Sequence, residues 1–134
     1  MYFRDEYNFL SNFYPSEVCI CGYVFPTVEN AYQCSKTKDK SLWYQFRSST
    51  PGHCKRLGRK LVLREDWEEV KEDIMYLLLK QKFGNEKLRD LLLKTGDIEI
   101  VEDNYWGDTY WGQCNGVGEN RLGKLLMRVR KELR

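Results

Sequence analysis

Residues 25–36, FPTVENAYQCSK, decide how the rest of the chain is read. Pro26 fixes the backbone just outside a helix, and Thr27 stands where a side-chain oxygen caps the orphan amides of a helix beginning at Val28. Ala31, Cys34 and then Thr37 or Lys38 recur at helical spacing on one face, while Glu29, Tyr32, Gln33 and Lys36 fall on a neighbouring one. Glu29 lies in the first turn, where free amides and the positive end of the helix dipole favour a carboxylate. A well-placed acid on a short helix is a sufficient structural reading. The functional reading draws on the continuous polar-aromatic face, for which no apolar contact evident in the sequence accounts.

Upstream, Val18–Ile20 and Tyr23–Phe25 flank Cys21-Gly22, a hairpin pattern with glycine in the turn. It delivers the chain to the Thr27 cap. Residues 2–16 carry Tyr2, Phe3, Tyr7, Phe9, Leu10, Phe13 and Tyr14 without helical period, and read as a strand or loop laid over the core. Downstream, Leu42, Trp43 and Phe46 form a short helix, and Pro51 suits the first turn of another, Pro51 to Gly58, with Lys55, Arg56 and Arg59 outward. The helix from Asp66 to Phe83 is the core's spine. Asp66 is its expected cap, Glu69 the capping-box partner, and Trp67, Val70, Ile74, Leu77 and Leu78 its apolar stripe. A return helix from Glu86 to Lys94 follows, then a strand pattern over Ile98 to Glu102, and a final helix from Glu119 to Leu133.

A length of 134 residues fits one domain over 1–134 with a core of its own, and no second domain is expected. The charge of +2, from 22 basic and 20 acidic residues, does not demand a nucleic-acid partner, though it leaves room for a local basic face. The five cysteines are odd in number and form no CxxC pair, and with one histidine, His53, neither a disulfide framework nor a zinc site is expected. Cys19 and Cys21 read as alternate positions of one strand. Reduced thiols, the charged start MYFRDE and the lack of a long apolar run point to a soluble cytoplasmic protein with no membrane partner. The oligomeric state is not legible.

The segment from Asp103 to Gly118, DNYWGDTYWGQCNGVG, is a loop of 16 residues rich in Tyr, Trp, Asp and Gly. Its length argues for function or disorder, and its aromatics argue against disorder. Nothing supports a histidine triad or a phosphate-binding glycine loop. Carboxylates remain. Glu29 and Asp108 are the pair with catalytic promise, since breaking a glycosidic bond needs a carboxylate that steadies an oxocarbenium-like centre and positions water. Trp106, Tyr110 and Trp111 are placed to stack on a heterocycle, and Asn12, Lys36 or Asn120 to hold ribose or phosphate oxygens. The basic run Lys55-Arg56 and Arg59-Lys60 suits a phosphate or, more commonly, a solvated face. Asp108 has a structural alternative too, fixing its own loop through an Asx turn.

The segments LSNF (10–13), FPTVENAYQ (25–33), LREDW (63–67), YWGDTYWG (105–112) and GENRLGKLLMRVR (118–130) resemble, in order, those of the NADAR or YbiA-like N-glycosidases. Singly each is weak, and together they are specific and span nearly the whole chain. The resemblance implies an α+β fold, mainly α, compact and single-domain, with a small β-hairpin or sheet. It implies hydrolysis of N-glycosidic bonds of ribosylated compounds without metal or other cofactor. Glu29 would be a catalytic carboxylate, with Asp108, Trp106 and Trp111 bordering the substrate. Phe13, Tyr32 and Gln33 from the matched segments complete the candidate substrate contacts, with Lys36 and Arg59 for phosphate. Two substrate classes are implied: ribosylamino-pyrimidine 5′-phosphates of early riboflavin synthesis, and ADP-ribosylated guanine in nucleic acid. A non-catalytic module binding ADP-ribose or a nucleotide is the remaining alternative. Where the family often carries histidine, this chain has Asn30 and Gly107, which leaves Glu29 and Asp108 with more of the chemistry.

Overall fold

In a computed structural model describing residues 1–134, helix α1, Val28–Cys34, has all seven of its residues buried. Its start is locally encoded. The Thr27 hydroxyl accepts the Asn30 N–H at 3.1 Å and donates to the Asn30 side-chain oxygen at 2.6 Å. Asn30 then donates to the carbonyls of Phe46 and Ser49, each at 2.8 Å, tying the next helix to α1. Ser35 closes the helix, so Lys36 lies beyond it rather than on its face.

The chain divides into two compact units, one of them Asn12–Lys82. In it the antiparallel hairpin of β1 (Val18–Ile20) and β2 (Tyr23–Phe25) turns through Cys21 and Gly22. Both turn residues have positive φ, 50° and 82°, the twist a two-residue hairpin requires. Cys21 therefore belongs to the turn and not to a strand shared with Cys19. A 3-10 turn, Lys40–Leu42, leads to α2 (Tyr44–Ser48), α3 (Pro51–Gly58) and α4 (Trp67–Lys82). Thr50 caps α3 by accepting the His53 N–H at 3.2 Å. The Gln81 side chain of α4 bonds both backbone groups of Cys19, at 2.7 and 2.9 Å, and so covers the outer edge of β1.

Helix α4 turns a different face inward from the expected stripe. Trp67, Met75, Leu78, Leu79 and Lys82 are buried, whereas Leu77 is 57% exposed. A buried lysine at helical spacing disguised that face. Asp66 binds Arg64 through both carboxylate oxygens, at 2.6 and 3.0 Å, and the Glu69 N–H goes to the Asp66 carbonyl, so the expected capping box gives way to an ion pair.

The other unit comprises Met1–Ser11 and Phe83–Arg134. Asp5–Leu10 is a 3-10 helix with Phe9 and Leu10 buried, where a strand or loop was expected. Helices α5 (Glu86–Lys94) and α6 (Arg121–Leu133) pack together, and β3 (Asp103–Asn104) runs parallel to β4 (Gln113–Cys114). Residues 98–102 are not a strand. Their backbone is held in part by a side chain, Asn120 donating to the Ile100 carbonyl and accepting the Glu102 N–H, both at 2.9 Å, while the Glu102 carbonyl accepts the Gln113 N–H at 2.8 Å. Asn120 itself is left-handed, φ 52°, so α6 begins only at Arg121. The architecture is α+β, mainly α, and no helix is long and apolar enough to cross a membrane.

Candidate active site

Within Asn12–Lys82 the predicted residues gather on α1 and its neighbours. Glu29, 8% exposed, projects from the first turn of α1. Its N–H donates to the Asn12 carbonyl at 3.0 Å, joining the segment before the hairpin to the helix that follows it. One turn along, Gln33 donates from Nε2 to Glu29 Oε2 at 2.6 Å. A donor to a carboxylate at that distance is a charge-assisted bond, which holds the acid's orientation.

Two polar atoms beside this pair have no partner. Gln33 Oε1 and Asn12 Oδ1 are buried and accept no hydrogen bond. Asn12 Nδ2 meets only the soft sulfur of Met75, at 3.6 Å. Leaving such an acceptor unsatisfied costs about 1–3 kcal/mol.

Lys36 is electrostatically coupled to this acid. Burial lowers the Lys36 ammonium below the ordinary lysine value; Glu29 draws it back up, and Arg59, Lys55 and Lys71 press it down again. Those opposing effects put Glu29, Arg59, Lys55 and Lys71 each within electrostatic range of Lys36. The Lys36 Nζ also stands 5.7 Å from the centre of the Tyr32 ring, which packs on Trp67 at 5.3 Å. Tyr32 is thus buried as a wall beneath the lysine, and Phe13 keeps an exposed ring near Gly52 at the start of α3. Cys54 marks the other flank, its thiol pushed up to about 11 by burial and then by the Glu29 charge. No three His, Cys, Asp or Glu side chains converge where a metal ion would sit. A recess of about 670 Å³ bordered by Glu17, Val24, Tyr44 and Arg47 contains none of the predicted site residues.

In the other unit, Asp108 organises its loop. Asp108 Oδ1 accepts the N–H groups of Tyr110 at 3.1 Å and Trp111 at 2.9 Å, the Asx arrangement that short polar side chains make with backbone. The Asn104 amide grips Asp108 from the other side, donating to its carbonyl at 2.9 Å and accepting its N–H at 3.0 Å. The Tyr110 and Trp111 rings meet edge to face at 4.9 Å. Trp106 is 51% exposed and paired edge-on with Tyr105. Asn120, expected among the substrate contacts, is buried with both ends of its amide engaged by the backbone of residues 100 and 102.

The family model described as NADAR domain matches residues 1–134. This chain belongs to the NADAR family. Among its NADAR relatives, "N-glycosidase YbiA" of Shigella flexneri serotype 5b is 40% identical over 134 residues, covering 96% of this chain and 83% of that one. "Riboflavin biosynthesis protein VVA0006" of Vibrio vulnificus is 35% identical over 96% of this chain, which corresponds to 36% of the longer protein. The NMR structure of the E. coli protein YbiA superposes with a TM-score of 0.85 at 38% identity, over 96% of this chain and 79% of that one. The NADAR fold is thus shared at a level where sequence and structure agree.

Sequence reasoning left out Lys71 of this NADAR chain. It lies on α4, and only the packing of α4 against α1 brings it near Lys36. Lys55 carried a weak signal, a basic run indistinguishable from a solvated face until α3 is seen against α1.

Proposed function

We propose that this chain is an N-glycoside hydrolase, acting as one NADAR domain on the N-glycosidic bond of a phosphorylated riboside, with ribosylamino-pyrimidine 5′-phosphates of riboflavin synthesis as its substrate class. One observation carries the reading: a buried carboxylate, Glu29, bound by Gln33 and electrostatically coupled to Lys36, which also feels Arg59, Lys55 and Lys71. A fixed carboxylate stabilises the positive charge that develops at the anomeric carbon and orients the attacking water. The basic side chains supply what a 5′-phosphate needs, with Lys36 and Arg59 as the leading contacts. Asn12, whose Oδ1 has no partner, is the candidate contact for a ribose hydroxyl. The names of the relatives, N-glycosidase and riboflavin biosynthesis protein, support the same chemistry and pathway.

Glu29 carries the charge stabilisation in this scheme. Asp108 takes an orienting role, and Trp106, Tyr110 and Trp111 the departing base; these assignments rest on the sequence motif and stand as proposals of their own. The test is mass-spectrometric product analysis of wild type and Glu29→Gln with two substrates, a ribosylamino-pyrimidine 5′-phosphate and guanine-ADP-ribosylated DNA. Ribose 5-phosphate from the first, lost in Glu29→Gln, is the expected result. ADP-ribose released only from the second would move the enzyme to nucleic-acid repair. Binding without cleavage of either would make it a binding module and overturn the proposal.

A further inference from the structure

Gly58 ends α3 in a conformation open to any residue, since its φ lies outside the left-handed region. A glycine inside a helix is otherwise a poor choice, because it loses more backbone freedom on folding than other residues and contributes no packing. Space explains it here. A Cβ at position 58 would lie 1.9 Å from Gln33 Oε1 and 2.9 Å from Gln33 Cδ, distances no pair of atoms tolerates. The obstacle is the amide group whose other end, Nε2, donates to the Glu29 carboxylate at 2.6 Å. Gln33 is 5% exposed, and its amide must shift to admit a methyl group at 58, carrying the end bonded to Glu29 with it.

From this geometry we infer that Gly58 is a positioning residue for Glu29, acting through Gln33: the missing side chain of one helix sets the orientation of the acid on another. The inference rests on the reading of Glu29 as the catalytic carboxylate. The chain of contacts has two links and each can be cut separately. A methyl group at 58 displaces the Gln33 amide; removing the amide deprives Glu29 of its donor directly. In both cases the carboxylate keeps its place on α1 but loses the bond that orients it. Because Gly58 acts only where a Gln33 amide is present, the two effects are one effect, and truncating Gln33 to alanine makes room for a side chain at 58.

The experiment is a double-mutant cycle with Gly58→Ala, Gln33→Ala and the double variant, reading kcat and KM on the substrate that wild type cleaves. Each single change is expected to lower kcat on the order of tenfold to a hundredfold with KM little altered. Gly58→Ala added to Gln33→Ala should cost less than about twofold further, the signature of coupled sites. Additive losses, or full activity in Gly58→Ala, would overturn the inference. A second readout does not depend on turnover: the side-chain amide cross-peaks of Gln33 in a ¹⁵N–¹H NMR spectrum should shift and exchange faster with solvent in Gly58→Ala. If they stay as in wild type, the steric link is absent. A wild type inactive on every N-riboside would sink the functional reading while the NMR comparison still decided the link between Gly58 and Gln33.

Discussion

Gln33 donates to Glu29 across 2.6 Å, one turn apart on the buried helix α1. The bond distinguishes what a Glu29→Gln substitution removes from what it leaves. The amide carbonyl of the new side chain still accepts from Gln33, so the helix and its packing persist. The negative charge is gone. N-glycosidase turnover should therefore fall by about a hundredfold or more while the thermal midpoint stays near that of wild type. A variant that kept full kcat would show that the charge at position 29 does no chemistry.

Asp108 allows a similar separation of charge from structure. Its Oδ1 accepts from the N–H groups of Tyr110 and Trp111. Asparagine retains that oxygen and the turn, whereas alanine leaves both N–H groups without it. Asp108→Ala is expected to cost about 1–3 kcal/mol of stability, seen in urea melts, and Asp108→Asn almost none. If the carboxylate also serves the reaction, Asp108→Asn will lower kcat at normal stability. An Asp108→Asn enzyme with wild-type kcat would confine the residue to its loop.

The features legible in the sequence are those written within a few residues. Thr27 caps the helix that follows it, Pro51 opens another, and Cys21-Gly22 turns a hairpin, because each needs only neighbours along the chain. Glu29 and Gln33 were readable as one face for the same reason. The errors lie where a distant partner decides. Residues 98–102 look like a strand, but two of their backbone bonds go to the Asn120 side chain, 20 residues from Ile100. The inward face of α4 includes Lys82, whose charge argues against burial in any pattern-based reading. Lys71 and Gly58 matter only through the packing of α4 and α3 on α1, which no local pattern encodes.

Lys36 gives the site a pH dependence of known sign. Burial and the charges of Arg59, Lys55 and Lys71 outweigh Glu29 and lower its ammonium below the ordinary value. Its proton is therefore lost earlier, as pH rises, than from a free lysine. Binding of a phosphorylated substrate should weaken over that alkaline range, appearing as a rise in KM. Lys36→Met should raise KM for the 5′-phosphate, flatten that rise, and leave KM for the dephosphorylated riboside nearly unchanged. Equal effects on both substrates would show that Lys36 does not contact the phosphate.

Lys82 closes α4, fully buried, its Nζ 5.6 Å from the Tyr14 ring. Burial lowers its pKa to about 7. An unfolded chain holds the same proton up to about pH 10.4. Below pH 7 both states are protonated, and the folded protein bears the penalty of the buried ammonium. Between pH 7 and about 10 the unfolded chain binds more protons, so stability rises with pH. Above that range neither state is charged and the cost is gone. The rise across this window is on the order of 4 kcal/mol from this one side chain. Lys82→Met, close in volume and without a titrating group, should lack the rise, its stability staying flat from pH 6 to pH 10 while that of wild type climbs. Urea unfolding at a series of pH values measures both. A Lys82→Met variant that is less stable than wild type by the same amount at every pH would mean that the ammonium is compensated in the fold, and that the helix end depends on it as a packed cation.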